Sequence, residues 1–220
     1  HKRGYRQPGY IAPLNEVMAA GMLLLMGWHK DIPLIDPMCG SGTVLLEAAM
    51  MAGCIPPGFN RKQYGFMKWN DFDKDLWKRI KDEVLEGIQS PAVSLFGADI
   101  SQNAIDLTKG ASIKMGVVNQ LNLRNSAFAD YMPQTNTGML VMNPPYGERM
   151  SQENICSFYK MIGDHLKKNF AGFDAWILSS NKEALKHVGL RPSRKLILYN
   201  GPLECKFQKF SLYQGSKKGN

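Results

Sequence analysis

Asn143-Pro144-Pro145-Tyr146 follows directly on the apolar run Met139-Leu140-Val141-Met142. The run reads as a strand. Two consecutive prolines end it, because each fixes φ and removes a backbone donor. Their carbonyls are left as acceptors without regular partners. The Asn143 side-chain oxygen and the Pro144 carbonyl can take the hydrogens of an exocyclic amino group. The Tyr146 ring can stack on the planar system that carries it. Methyl transfer to a planar amine is the chemistry such a set would serve.

Three other strand ends carry an acid. Asp36 follows Leu34-Ile35, Asp99 follows residues 94–98, and Asp130 follows Ala127-Phe128-Ala129, read as strand three. With Asn143 they converge on the carboxyl edge of an open α/β sheet, where the ligand crevice lies. The loop Asp36-Pro37-Met38-Cys39-Gly40-Ser41-Gly42-Thr43 joins the first strand to a helix expected over residues 43–51. Its glycines permit a tight turn and close approach of a ligand to the backbone. No Lys follows them, so this is not a P-loop, and the third glycine of a dinucleotide fingerprint is missing. An acid at the end of the second strand is placed to bond ribose hydroxyls. Asp130 can accept from an adenine amino group. Helix capping is the competing use of each acid.

The elements that must position these residues alternate short apolar runs with amphipathic stretches. That pattern specifies a parallel sheet with helices on its faces. Leu14, Val17, Met18, Gly21, Leu24, Leu25 and Trp28 recur at helical spacing, and this helix is expected to pack inside the fold. Leu76, Trp77, Ile80, Val84, Leu85 and Ile88 line a second amphipathic helix. Ser101 is placed to cap the next one. Ile155, Phe158, Tyr159, Ile162 and Leu166 mark another. Residues 175–178 read as a fifth strand. Residues 195–199 and 205–212 read as a late hairpin around Gly201-Pro202.

Asp-Pro-Met-Cys-Gly-Ser-Gly-Thr, Gly97-Ala98-Asp99-Ile100 and Asn143-Pro144-Pro145-Tyr146-Gly147-Glu148-Arg149, in this order, resemble a class I S-adenosylmethionine-dependent amino-methyltransferase. With His1-Lys2-Arg3-Gly4-Tyr5-Arg6 and the Ala12-Pro13-Leu14 turn, the chain resembles the THUMP-associated RNA methylase family, which includes bacterial 23S ribosomal RNA guanine-N2 methyltransferases. The resemblance implies a Rossmann-like α/β fold. Its sheet would have seven mostly parallel strands with a late antiparallel hairpin, and helices on both faces. It implies S-adenosyl-L-methionine as cofactor. Asp36, Cys39, Gly40, Gly42 and Thr43 would surround the methionine end, with Pro13 and Leu14 nearby. Glu47 would face the same end or serve only its helix. Asp99 would hold the ribose with Ile100 against the adenine, and Ala129 and Asp130 would frame the adenine edge. Asn143, Pro144 and Tyr146 would be catalytic, and Pro145 would contact the base. Arg149 would touch a phosphate or pair with an acid. Phe207 would face Tyr146 across the base or belong to the core. His29 and His165 receive no function.

The 220 residues suit a single methyltransferase domain, its first 30 forming a flanking segment, with an upstream THUMP domain expected. Four cysteines, at 39, 54, 156 and 205, show neither a CxxC pair nor zinc-ligand spacing. No metal and a reducing cytoplasm are therefore expected. The net charge is +8, and residues 181–220 hold nine basic against two acidic side chains. RNA, ribosomal RNA in particular, is the partner such an end would suit; no membrane partner is expected. Adenine-N6 methylation of DNA or RNA and a non-catalytic RNA-binding module are the alternatives. An NAD-dependent oxidoreductase is disfavoured by the missing glycine and by the lack of a proton-transfer residue.

Overall fold

The computed structural model describes residues 3–6, 14–90, 92–145 and 151–213, the side chain of Gln152 excepted. Seven strands form one sheet: β1 Leu34–Asp36, β2 Leu95–Asp99, β3 Leu121–Asn125, β4 Gly138–Met142, β5 Phe173–Ser179, β6 Arg194–Asn200 and β7 Leu203–Ser211. Their order is β3-β2-β1-β4-β5-β7-β6. β1 to β5 run parallel, and β7 is antiparallel to both β5 and β6. The helices are α1 Glu16–Met26, α2 Thr43–Ala52, α3 Lys74–Glu86, α4 Gln102–Met115 and α5 Gln152–Asn169. This is the α/β architecture expected from the sequence, hairpin included.

Side chains alternate across the sheet, so each face builds its own core. Leu34, Leu95, Val141 and Trp176 pack beneath α1, α2 and α4, with Leu23, Leu45, Ala49 and Met115. Ile35, Phe96, Leu140 and Ile177 pack beneath α5, with Tyr159, Ile162 and Leu166. α2 follows β1 on one face, and α5 follows β4 on the other. β1 and β4 are adjacent. Their loops therefore diverge and leave a crevice at the carboxyl edge, the switch point where such sheets bind ligands.

Two expectations are corrected. Strand three is Leu121–Asn125, and Phe128–Asp130 is a short 3-10 turn behind it. The true strand is an edge strand whose side chains are half-buried or exposed, so it lacks an apolar run. The short run around Phe128 imitates one. The buried face of α1 is also not the expected one. Ala19, Met22, Leu23 and Met26 are buried, while Val17 and Leu24 are 52% and 69% exposed. α1 is apolar nearly all round, so periodicity cannot choose its inner side. Glu16 lies on that inner side, where Arg6 neutralises it at 2.9 Å.

No helix among the described residues is long and apolar enough to cross a membrane.

Candidate active site

The loop after β1 is held in place by the end of β2 and by α4. Cys39 N donates to Ala98 O at 2.9 Å, and Gly42 N donates to Cys39 O at 2.8 Å. Gly40 N donates to Asp99 Oδ2 at 2.8 Å. The Thr108 hydroxyl lies 3.0 Å from Gly40 O and 2.9 Å from Ala104 O, so α4 grips the loop. Gly42 has φ 73°, and a Cβ there would come within 2.3 Å of Thr108 Cγ2. Glycine is thus required twice over, by backbone and by space. Gly42 also caps α2 without a side chain, so the first-turn N–H groups keep their capacity for an anion such as a carboxylate. Thr43 begins α2 and is buried, as is Cys39, whose thiol burial pushes well above its usual range.

Asp99 ends β2 half-buried. Its Oδ1 accepts from Ser101 N at 2.9 Å while Oδ2 serves Gly40, leaving each oxygen a further lone pair. The Asn125 amide donates to Asp99 O at 3.0 Å and Ile100 O at 2.9 Å, fixing this turn. Ile100 is 76% exposed beside it, an apolar surface suited to a flat ring. Thr108 and Asn125 escape a reading by sequence, because each looks like an ordinary polar residue of its helix or strand.

Asp36 is 3% exposed at the bottom of the crevice. Burial pushes its carboxyl up to about 8, the Asp99 charge adds to this, and a hydrogen bond from Met38 N opposes it. Such a group is poised to ionise against an incoming cation.

Asn143 stands at the end of β4. Its Oδ1 is buried and has no hydrogen-bond partner among the described residues. A buried acceptor left unpaired costs about 1–3 kcal/mol, so a donor supplied by a ligand would recover that energy. Pro144 is buried and Pro145 exposed. Pro13, Tyr146 and Arg149 lie outside the described residues.

Ala129 and Asp130 are exposed on the 3-10 turn. Phe128 and Tyr131 anchor that turn in the core. His165 Nε2 lies 2.8 Å from Tyr131 O, and its Nδ1 lies 3.0 Å from the Asn169 amide nitrogen. With Asn169 donating, Nε2 carries the proton and donates to the turn. His165, given no function by sequence, thus positions the segment that bears Asp130.

Two expected site residues are used elsewhere. Glu47 is 3% exposed and receives Arg3 Nη2 at 3.0 Å, Arg3 Nε at 3.1 Å and the Tyr5 hydroxyl at 2.9 Å. The Glu47 hydrogen bond and charge hold the Arg3 guanidinium above its ordinary value; burial, then the Glu47 charge, raises the Tyr5 hydroxyl. Arg6 donates to the carbonyl of Leu14, which is itself buried. Phe207 is wholly buried with its ring 4.7 Å from that of Trp176, so it belongs to the core and not to a base-binding face. It packs in the core cluster that α1 and α2 cover.

Residues 3–209 match the family model described as RMKL-like, methyltransferase domain. A Synechocystis sp. protein, slr0064, provisionally named an RNA methyltransferase, is 38% identical over 97% of this chain and 56% of its own length. The ribosomal RNA large subunit methyltransferase K/L of Shewanella frigidimarina is 36% identical over 99% of this chain and 32% of its own. The chain thus spans about half or less of these relatives. Among solved structures, SMU.472 complexed with S-adenosylhomocysteine superimposes with a TM-score of 0.89 at 30% identity, covering 98% of this chain and 56% of that one.

Proposed function

The chain belongs to the RMKL-like methyltransferase domain family, and from that premise we propose that it methylates an exocyclic amino group of a base in RNA, namely guanine N2 in large-subunit ribosomal RNA. The cofactor is S-adenosylmethionine, in keeping with the family and with a 30% identical neighbour that holds S-adenosylhomocysteine. The donor set fits that cofactor. Asp36 offers a buried carboxyl seeking a cation, α2 offers free N–H groups to a carboxylate, and Asp99 offers acceptors to ribose hydroxyls.

The observation that carries the proposal is the buried acceptor of Asn143, unpaired among the described residues and one strand away from the Asp36 loop. The bound cofactor supplies a methyl already activated by its sulfonium. The chain's task is orientation and charge. Asn143 Oδ1 and the Pro144 carbonyl accept hydrogen bonds from the incoming amine, whose lone pair is otherwise delocalised into the ring, and the proton that the methylated nitrogen sheds passes to water. They aim the nitrogen at the methyl and stabilise the positive charge that grows on it. A base within a paired region must leave its stack to reach them. Stacking on the base by Tyr146, a border at Pro145 and a phosphate contact at Arg149 belong to the same proposal.

Large-subunit ribosomal RNA is supported by the Shewanella relative's name and by the basic excess of residues 181–220. An upstream THUMP domain capturing RNA, and action in the cytoplasm, belong to the same proposal; the four free cysteines suit that compartment. The test is methylation of ribosomal RNA with labelled S-adenosylmethionine, followed by nucleoside mass spectrometry. N2-methylguanosine is expected. N6-methyladenosine, or no transfer to RNA in any form, would overturn the assignment.

Two further outcomes are expected at the cofactor. Asp99→Ala removes the ribose acceptor and frees the glycine loop, so calorimetry should show at least about a tenfold loss of affinity, the worth of one charged hydrogen bond. Affinity should also depend on pH through Asp36. Its folded value of about 8 lies above the ordinary 3.8. The native state therefore holds an extra proton between these values, and a cation binds better as that proton leaves. Affinity for S-adenosylmethionine should rise from pH 6 to 9, more than for uncharged-sulfur S-adenosylhomocysteine. Asp36→Asn should flatten the difference. In the free protein the same carboxyl works the other way, and its contribution to stability falls as pH rises towards 8.

A further inference from the structure

β6 is the outer strand of the sheet, and one of its faces is bare. Leu196 and Leu198 pack against the core beneath α1 and α2. Lys195, Ile197 and Tyr199 alternate with them. These three share a face with Gln208 on β7 and Ile177 on β5, the face that α5 covers. The cover reaches β7, where Gln208 is 7% exposed, and stops at β6, where Ile197 is 60% and Tyr199 63% exposed. On β7, Lys206 stands opposite Ile197 and Glu204 opposite Tyr199. Glu204 is engaged by Lys182 at 2.7 Å. Lys195 and Lys206 have no ion-pair partner among the described residues, so the face keeps a positive surplus.

β6 runs in the same direction as β5, so Tyr199 stands at the carboxyl edge that holds the crevice. Continuing the register, Asn143 is level with Leu178, Phe207 and Leu196. Tyr199 lies three strands along the edge, about 14 Å, and three residues beyond that level, about 10 Å. It lies on the side of Asn143 away from Asp36 and Asp99, whose strands β1 and β2 occupy the other half of the sheet.

On the reading that RNA is the substrate, we propose that this face is a stacking subsite for single-stranded RNA. Tyr199 holds the base of a nucleotide flanking the one that enters the crevice, and Lys195 and Lys206 take its phosphates. A base that leaves its stack also unstacks its neighbours. An exposed aromatic ring among unpaired cations is what an unstacked strand binds. Lysines on an edge strand also deter pairing with another sheet. That role accounts for Lys195 but not for Lys206, which sits on an interior strand. Area argues against a protein partner, since two exposed apolar side chains fall far short of the roughly 800 Å² that each side of a stable interface buries.

Fluorescence anisotropy tests this with a labelled single-stranded RNA of about 12 nucleotides, within the span one such face holds, and S-adenosylhomocysteine present. Tyr199→Ala should weaken binding about 5- to 100-fold, the loss of one base–aromatic stack. Tyr199→Phe, which keeps the ring, should restore it. Lys195→Gln and Lys206→Gln should each lower the slope of log affinity against log salt by about 0.7. Far-UV circular dichroism and S-adenosylmethionine affinity should stay those of the parent. Equal binding by Tyr199→Ala and the parent, or a parent that methylates RNA without holding the single strand, would overturn the subsite and leave the RNA reading standing. A parent that neither binds nor methylates RNA would end both. A mass in sedimentation velocity that doubles with concentration, and no longer does so in Tyr199→Ala, would give the face to a second copy and overturn the subsite.

Discussion

Asn143→Ala is expected to cut methyl transfer by about 10²–10³-fold, the usual consequence of losing one preorganised electrostatic partner of a transition state. Cofactor affinity should stay within about twofold, since none of the loop-fixing hydrogen bonds involves Asn143. The reasoning is local. Oδ1 is buried, unpaired among the described residues and carried by a short side chain at the end of a central strand. Alanine leaves the amine with a single acceptor and no aim. Asn143→Asp keeps an acceptor of the same shape and should retain more activity than alanine. Single-turnover transfer, paired with calorimetric titration of the cofactor, separates the two quantities. Full turnover in Asn143→Ala would remove the residue from the chemistry.

Glu47→Ala should be strongly destabilising, costing about 3–5 kcal/mol by urea denaturation, as breaking a buried ion pair does. The loss is large because Arg3 is itself only 11% exposed and would be left charged and unpaired. Tyr5, 1% exposed, would lose the acceptor of its hydroxyl. Removing both charges together, as Arg3→Met with Glu47→Leu, should cost less than Glu47→Ala alone, because no uncompensated charge remains. A cost below about 1 kcal/mol for Glu47→Ala, the level of a surface pair, would show that the arm is not tied down.

What the sequence discloses and what it hides follow from range. Loops built from neighbouring residues are legible: the glycine turn, the strand-end acids and the proline stop each state their geometry within eight residues. Contacts across the chain are not. Nothing local marks Glu47 as the partner of Arg3, 44 residues away, or Thr108 as the clamp on Gly40, 68 residues away. Edge strands hide for another reason. β3 is covered too little to need an apolar pattern, while Phe128, which looks like strand core, is buried on a turn. α1 conceals its inner face because both faces are apolar and an ion pair admits Glu16 to the inside. Phe207 is a matter of direction, since β7 lends Cys205 and Phe207 to one core and Phe210 to the other, and Phe207 has no free side to offer.

The pairing of β1 with β4 rests on Leu34 opposite Met139 and Ile35 opposite Leu140. By continuation Asp36 stands level with Val141, and Asn143 lies two residues farther, about 6–7 Å along the strand. On the proposed roles, the spacing between the cofactor loop after Asp36 and the acceptor at Asn143 is therefore graduated in strand units. Hydrogen bonds between neighbouring strands set where the two loops begin. A ruler of this kind cannot be stretched a little. It can only jump by a whole register, which would turn every core side chain to the wrong face. On the same proposal, substrate preference can change while that spacing stays constant, locked by the same pairs that hold the sheet together.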